Sequence, residues 1–230
     1  MKWPKLISGT LISRYKRFLF DVRLKNNHTI TAHSPNTGSM LGCCAPGSRV
    51  FLSTHNNPKR NLKYTVEMIE TDTTLVGINT LLPNRLIRKA ITSGEIEALS
   101  GYSHIRPEVP YGENSRIDLL LDNDKKRCFV EIKNCTLAEN QVAYFPDAVS
   151  RRGLKHLLEL QRQVKAGHRC VMFYLIQRTD ARTFKPADHI DPDYGRELRN
   201  AVSGGVEIMV YDVKLDLKKI ELNQPVPYVL

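Results

Sequence analysis

Hydrophobic residues in the first third of the chain form short segments in which apolar and polar positions alternate, a pattern that predicts β-strands. Turn-forming pairs such as Asn26-Asn27 and Pro46-Gly47 separate these segments. The predicted strands cover residues 15–24, 29–33, 49–54, 64–70 and 75–78. Five short strands in succession are typical of a five-stranded, partly open barrel such as the OB-fold, and another small barrel would produce the same pattern.

The pattern changes after Pro83, where segments with helical spacing begin to alternate with apolar strands. We therefore predict an OB-like domain at residues 1–83 and an α/β domain at residues 84–230. Asn84 is predicted to cap a first helix, and Ser150 is predicted to cap a longer one. The predicted buried stripe of the longer helix consists of Leu154, Leu157, Leu158, Leu160 and Val164. The remaining predicted elements are a helical piece at 95–99, extended segments at 105–109, 140–145, 169–176 and 206–213, and a helix at 192–203.

A polar turn at residues 122–126 separates two apolar segments that have the length of the arms of a β-hairpin. Pairing Leu121 with Cys128 across this turn sets Asp118 opposite Glu131. Residues i and i+2 of a strand project from the same face, so the lysine two positions after Glu131 lies beside it. The hairpin is therefore expected to bring two carboxylates and one lysine close together.

Two facing carboxylates and an adjacent lysine have the chemistry needed for phosphodiester hydrolysis. Asp118 and Glu131 can hold a hard cation such as Mg²⁺ or Mn²⁺, which keeps coordination positions open for a phosphate. Lys133 can orient the attacking water or stabilise developing negative charge. The alternative is a structural ion-pair cluster in which Asp118 pairs with Lys133 or Arg116, and the sequence leaves both interpretations open.

Positive charge is concentrated near the N-terminus. The net charge is +10, and the first 83 residues hold 11 Lys and Arg against 4 Asp and Glu. Such an excess favours binding to nucleic-acid phosphates, although a merely soluble basic surface has the same composition. Candidate DNA phosphate contacts in the barrel are Arg14, Lys16, Arg17, Lys59, Arg60 and Lys63.

Two further features are consistent with anion binding. The loop at residues 35–40, with a positive φ expected at Gly38, either presents backbone N–H groups to an anion or is a plain turn. A basic group also begins the long helix, where it opposes the helix dipole unless phosphate or the nearby Asp147 offsets it. The residues of this group are Arg151, Arg152, Lys155 and His156.

The apolar runs and the cysteines of the sequence predict the cellular compartment of the protein. The longest apolar run, residues 170–176, is too short to cross a bilayer, and the N-terminus lacks the features of a signal peptide. Five cysteines without a CxxC spacing favour reduced thiols over a disulfide framework or a zinc site. We therefore predict a cytoplasmic protein without a membrane partner.

Several motifs, spread over nearly the whole chain, are similar to those of one known family. The Asp118 and Glu131-Ile132-Lys133 arrangement resembles the PD-(D/E)xK nuclease signature, with Ile117 in place of its usual proline. The longer motifs are Tyr15-Lys-Arg-Phe, Ser34-Pro-Asn-Thr-Gly-Ser-Met, Gly101-Tyr-Ser, Ser115-Arg-Ile-Asp, Val130-Glu-Ile-Lys-Asn-Cys-Thr-Leu, Tyr144-Phe-Pro-Asp-Ala and Arg152-Gly-Leu-Lys-His-Leu. Together they resemble the sugar fermentation stimulation protein A family of bacteria and archaea.

This resemblance implies an N-terminal OB-fold joined to a PD-(D/E)xK nuclease-like α/β domain, in a DNA-binding protein that regulates maltose and other sugar metabolism. Asp118, Glu131 and Lys133 then correspond to the nuclease core, and Glu97 to the helix acid that some such nucleases use to bind their metal. Three function classes stay open: a Mg²⁺- or Mn²⁺-dependent nuclease, a non-catalytic DNA-binding regulator, and a barrel that binds sugars or other small molecules. The oligomeric state also stays open, a homodimer included.

Overall fold

In the computed structural model, which describes residues 1–123 and 126–230, the chain forms a β-barrel followed by a layered α/β domain. The strands are β1 (Leu6–Tyr15), β2 (Leu19–Leu24), β3 (Thr29–His33), β4 (Arg49–Thr54), β5 (Tyr64–Glu70), β6 (Leu75–Gly77), β7 (His104–Tyr111), β8 (Ser115–Asp122), β9 (Arg127–Cys135), β10 (Leu137–Glu139), β11 (Val142–Phe145), β12 (Arg169–Ile176), β13 (Thr183–Pro186), β14 (Glu207–Leu215) and β15 (Ile220–Pro225). The helices are α1 (Leu82–Thr92), α2 (Arg151–Lys165) and α3 (Pro192–Ser203), with a 3-10 turn at Glu97–Leu99.

Strands β1 to β5 close into the barrel. They pair in the order β3-β2-β1-β4-β5, and a parallel bridge between His33 and Thr65 joins β3 back to β5. Apolar side chains such as Leu11, Phe20 and Val66 fill the interior, because alternate residues of each strand face inward. The predicted five-stranded OB-like barrel is confirmed.

The single strand predicted at residues 15–24 is wrong, because a turn divides it. Lys16 and Arg17 have φ angles of 48° and 67°, and the chain reverses there between β1 and β2. Most of β1 escaped prediction because Ser8 and Gly9 weaken its apolar pattern. The two basic residues at this turn are therefore exposed at the tip of a hairpin.

The second domain is a mixed sheet covered by helices on both faces, in agreement with the predicted α/β class. Its strands pair in the order β15-β14-β12-β9-β8-β7, with β9, β12 and β14 parallel to one another. Helix α1 shares one apolar cluster with Leu119 and Val130, whereas α2 and α3 share another with Leu120 and Phe129. Neighbouring residues of a strand point to opposite faces, so the two clusters lie on opposite sides of the sheet.

Helix details that differ from the prediction affect the site. Helix α1 has Leu81 at its N-cap position, so Asn84 lies in the first turn and not at the cap. The buried face of α2 includes His156 and Glu159, whereas Leu158 is 42% exposed. Polar side chains of α1 and α2 are thereby turned towards the sheet.

The register of the central hairpin is confirmed. Leu121 pairs with Cys128 as predicted, and the loop residues Asp124 and Lys125 lie outside the described part of the chain. The extended segment predicted at 140–145 is a strand only from Val142, and it pairs antiparallel with β10. Within the described residues, no helix is both long and apolar enough to cross a membrane.

Candidate active site

The backbone pairing between strands β8 and β9 ends before Asp118, and at this point the Asp118 side chain bonds to β9 instead. The last backbone pair before this point joins Leu119 to Val130. Asp118 Oδ2 accepts a hydrogen bond from the Ile132 N–H at 2.7 Å, and Asp118 Oδ1 accepts one from Asn84 Nδ2 at 2.8 Å. These bonds fix the carboxylate between β9 and the first turn of α1.

The Glu131 carboxylate is the centre of a buried cluster. Its Oε1 accepts a hydrogen bond from Lys133 Nζ at 2.7 Å and makes a short contact with His156 Nδ1. His156 Nδ1 also lies 3.0 Å from Lys133 Nζ. Glu131 Oε2 is buried and has no hydrogen-bond partner among the described residues. That second oxygen is therefore available to a cation or a water molecule.

His156 was predicted as a phosphate contact, and the structure corrects its placement. The side chain is almost wholly buried because it lies on the face of α2 that packs against the sheet. Arg152 Nε donates to His156 Nε2 at 3.4 Å, and the other ring nitrogen faces Glu131 and Lys133. His156 therefore supports the acid and the lysine of the cluster.

The pKa values of the Asp118 and Glu131 carboxyl groups are shifted in opposite directions. Burial, together with the negative charge of Glu131, raises the pKa of Asp118 to about 6. Burial would also raise the pKa of Glu131, but Lys133 and His156 hold it below its ordinary value. A bound cation would offset the repulsion between the acids and favour the ionised form of both.

Asp118 and Lys133 line a cleft of about 370 Å³ between the barrel and the α/β domain, here called the Asp118 cleft. The loop at residues 35–38 forms one wall, and Asp147 and Arg152 contribute to another. The barrel therefore contributes directly to the surroundings of the carboxylates.

The loop at residues 35–40 is held in place by its own contacts. The Gly38 N–H donates to Asn36 Oδ1 at 2.8 Å, and the Met40 N–H donates to Asp147 Oδ2 at 2.7 Å. These two N–H groups are thus occupied by carbonyl and carboxylate oxygens. The positive φ angle expected at Gly38 is wrong, because the residue of this loop with a positive φ is Met40. Glycine is needed at position 38 for another reason, since a Cβ there would lie 2.9 Å from Asn36 Oδ1.

Glu97 lies away from the cluster, contrary to its predicted metal role. It is exposed in the 3-10 turn. The next residue, Ala98, accepts a hydrogen bond from Arg169, which pairs with Cys128 near the start of β9. Cys128 lies four residues before Ile132, a distance along the strand of about 13 Å. Glu97 is therefore placed towards the opposite end of the hairpin.

The basic residues predicted from sequence occupy two regions. Arg152 and Lys155 line a second cleft, of about 710 Å³, which adjoins the cluster through His156 and is also lined by Arg116, a basic residue that was not predicted to contact DNA. Arg152 lines both clefts and joins them. The other basic candidates with exposed side chains are Lys16, Arg17, Lys59, Arg60, Lys63 and Arg151.

Arg14 was predicted as a DNA contact, but its guanidinium is already used within the barrel. It donates to the carbonyl oxygens of Arg17, Asn36, Gly38 and Ser39 at distances between 2.6 and 3.2 Å. Five donors in a fixed planar geometry suit this task. Arg14 therefore ties the β1–β2 turn to the loop beside Asp118.

We expect Arg14→Lys to lower the free energy of unfolding by about 1–2 kcal/mol, because lysine keeps the charge and loses the planar set of donors. Urea denaturation measures this change. Arg23→Lys, at an exposed position of β2, is the matched control and should have little effect. Equal stability of the two variants would contradict the structural role of Arg14.

Two buried groups near the cluster were not predicted. Glu159 is 1% exposed, and its Oε1 accepts a hydrogen bond from the Glu113 N–H at 3.3 Å, whereas its Oε2 has no partner among the described residues. The Tyr111 hydroxyl is also buried, and burial together with Glu131 and Glu159 raises the pKa of Tyr111. Glu131 therefore shares its surroundings with a second buried acid.

Comparison with known proteins accounts for both parts of the chain. Residues 12–78 match the SfsA N-terminal OB domain, and residues 81–219 match the sugar fermentation stimulation protein RE domain. Sugar fermentation stimulation protein homologues are 53% identical in Pelobacter propionicus, over all of both chains, and 54% identical in Geobacter sulfurreducens, over 96% of this chain and 95% of that one. The solved structure of Pyrococcus furiosus SfsA in complex with Ca²⁺ is 26% identical and superposes with a TM-score of 0.91, covering 100% of this chain and 98% of that one. The chain therefore belongs to the sugar fermentation stimulation protein (SfsA) family.

Proposed function

We propose that the chain binds DNA and hydrolyses its phosphodiester bonds with the help of a divalent cation, Mg²⁺ or Mn²⁺. The observation that carries this proposal is the grouping of Asp118, Glu131 and Lys133 where two strands separate, beside a cleft that Arg152 also lines. Paired carboxylates and a lysine at the edge of a cleft that also contains an arginine match the needs of phosphate chemistry.

The residues present are suited to a hard cation. Glu131 Oε2 is a buried oxygen without a partner among the described residues, and Asp118 has a raised pKa because it is buried and because a second negative charge is close. Both features favour an ion that binds carboxylate oxygens. The relative from Pyrococcus furiosus was solved with Ca²⁺, which is another hard cation.

Asp118 and Glu131 would hold the ion, which when bound supplies charge neutralisation at the phosphate and a more acidic water. Asn84 keeps the Asp118 carboxylate in one orientation through the 2.8 Å hydrogen bond. Lys133 places a positive charge at the cleft, where it can stabilise negative charge that develops on a phosphate. His156 and Glu131 position this lysine from the protein interior.

Binding of DNA is supported by the distribution of charge. Arg152 lines the Asp118 cleft, and Arg116 and Lys155 join it in the second cleft, so positive charge lies beside Asp118, and the barrel adds further exposed lysines and arginines. Neutralisation of phosphates releases counterions, so affinity should fall steeply as salt is added. An effect on sugar fermentation, which the relatives' names record, would then follow from action on DNA.

A non-catalytic DNA-binding regulator is the second candidate, and one observation favours it. In the described part of the chain, no three His, Cys, Asp or Glu side chains are grouped so that they could hold a metal ion. The site thus relies on two carboxylates, and Glu97 does not add a third. In this alternative the cluster around Glu131 has a structural role only.

We expect Lys133→Met to reduce cleavage of plasmid, linear and single-stranded DNA in Mg²⁺ or Mn²⁺ by about 100-fold or more, since charge stabilisation in the transition state is lost. Gel electrophoresis of the products measures the rate. The matched control, Lys214→Met at an exposed position of β14, should cleave like the wild type.

Cleavage that survives Lys133→Met would refute the proposed catalytic site. DNA binding by the wild type that depends on salt, without cleavage in either metal, would support the regulator instead. Thermal denaturation of the variant distinguishes loss of chemistry from loss of the fold.

A further inference from the structure

A third cleft, of about 420 Å³, lies between the barrel and the start of helix α1, here called the barrel cleft. His33 and Arg60 line it from the barrel, Arg85 lines it from α1, and Trp3 from the N-terminal segment. Among its lining residues only Pro35 also lines the Asp118 cleft. The barrel cleft is therefore a neighbour of the carboxylate site and chemically distinct from it.

Part of its lining is a fixed polar network. Glu67 is 5% exposed, and its two carboxylate oxygens accept hydrogen bonds from Ser53 Oγ at 2.6 Å and Asn79 Nδ2 at 2.7 Å. His55 Nε2 lies 3.3 Å from Ser53 Oγ and 3.0 Å from Thr65 Oγ1. Buried polar groups are costly unless they are satisfied, so this satisfied network holds the polar wall of the barrel cleft in a fixed arrangement.

The charge of the cleft favours an anion. Arg60 and Arg85 are exposed cations on two of its sides, and His33 Nδ1 is buried without a partner among the described residues. Leu81 and Leu82 also line the cleft, so the N-terminus of α1 lies at its edge, without an acidic residue in the first turn. The N–H groups of these two leucines already donate to Asn79, so this end contributes only through the helix dipole, which adds to the effect of the arginines.

The barrel cleft also has an apolar wall against which a flat, apolar part of a ligand can pack. The Trp3 indole donates its N–H to the Asp216 carbonyl oxygen at 2.8 Å, which fixes the orientation of the ring. Leu81, Leu82 and Pro4 extend this apolar wall. A ligand of this cleft therefore needs a negatively charged part and a flat, apolar part.

We propose that the barrel cleft binds a nucleoside phosphate, with the phosphate held by Arg60 and Arg85 and the base against Trp3. Two sources share this chemistry: a free mononucleotide, and one nucleotide of a single strand that continues into the Asp118 cleft past Pro35. Arginine suits phosphate because its planar donors bind two oxygens at once. The site does not depend on cleavage at Asp118.

Isothermal titration of the full chain with AMP tests the proposal, beside inorganic phosphate and maltose. We expect AMP to bind, and Arg60→Ala and Arg85→Ala each to weaken it by about tenfold or more. Arg88→Ala is the matched control, because Arg88 is exposed on the same helix and lies outside the barrel cleft. Asp118→Asn should bind AMP like the wild type, so this result stands whether or not the chain cleaves DNA.

A short single-stranded oligonucleotide distinguishes the two sources. If AMP competes with the oligonucleotide, and Arg85→Ala weakens both, the cleft takes a nucleotide of the strand; if both bind without competition, it takes a free nucleotide. The proposal is overturned if AMP fails to bind and Arg85→Ala leaves oligonucleotide affinity unchanged. It is also overturned if phosphate or maltose binds as tightly as AMP, or if Arg88→Ala weakens AMP as much as Arg85→Ala.

Discussion

Asp118→Asn is expected to lower metal-dependent cleavage of DNA by about 100-fold or more, because a cation loses one of its two carboxylates. The substitution preserves shape and hydrogen bonding. The new amide oxygen can accept from the Ile132 N–H, and its NH₂ group can donate to Asn84 once that side chain turns over. The loss of cleavage would therefore result from the missing negative charge, because the fold is unchanged.

Rates of plasmid nicking in Mn²⁺ and Mg²⁺, together with calorimetric titration of Mn²⁺, measure both consequences. Asp72→Asn, an exposed acid in the turn between β5 and β6, removes the same charge away from the site and should leave both quantities unchanged. Undiminished Mn²⁺ binding by Asp118→Asn would exclude Asp118 as a metal ligand. Undiminished nicking would exclude its role in catalysis.

The register of the hairpin that carries these acids was predictable because two features of the sequence, the apolar pattern and the turn, specify the same pairing. Both arms are apolar on both faces, and a slip of one residue would place Asp118 or Glu131 in an apolar cluster. The turn residues then leave one pairing, which is the one found between Leu121 and Cys128. Local pattern and burial therefore agree at this place.

The environment of Glu131 was not predictable in the same way. His156 follows it by 25 residues and reaches it only because α2 crosses that part of the sheet. The leucine pattern suggested a buried stripe through Leu158, whereas the buried face runs through Gly153, His156, Leu157 and Leu160. A histidine at helical spacing from a glycine and two leucines was the signal that could have revealed it.

Residue type alone did not predict the partners of three side chains, which are those of Asn84, Arg14 and Glu97. Asn84 has the residue type of a helix cap, and Arg14 the type of a phosphate contact, yet each forms hydrogen bonds to a part of the chain that is distant in sequence. Glu97 has the type of a metal ligand and is exposed instead. Residue type constrains what a side chain can do, and tertiary packing decides which partner it meets.

The metal-free protein is expected to lose stability as the pH rises through about 6, because the buried Asp118 must then ionise beside Glu131. Its pKa is about 6 in the folded chain against an ordinary value of 3.8. Between these values the folded state keeps a proton that the unfolded state has released, so the contribution of Asp118 to stability is highest below pH 3.8 and declines as the pH rises. The full difference corresponds to about 3 kcal/mol, of which about 1.4 kcal/mol is lost between pH 5 and 8.

Thermal denaturation in EDTA from pH 5 to pH 8 measures this effect as the difference between the wild type and Asp118→Asn, since groups remote from Asp118 titrate equally in both. Relative to the variant, the wild type should lose about 3–6 °C of Tm over this range. Mg²⁺ or Mn²⁺ should restore much of that loss at pH 8 in the wild type and not in the variant, because an ion that binds only the folded state stabilises it. Parallel curves for the two proteins in EDTA would mean that Asp118 ionises without hindrance. In that event the site would lack the excess of negative charge that makes a cation favourable there.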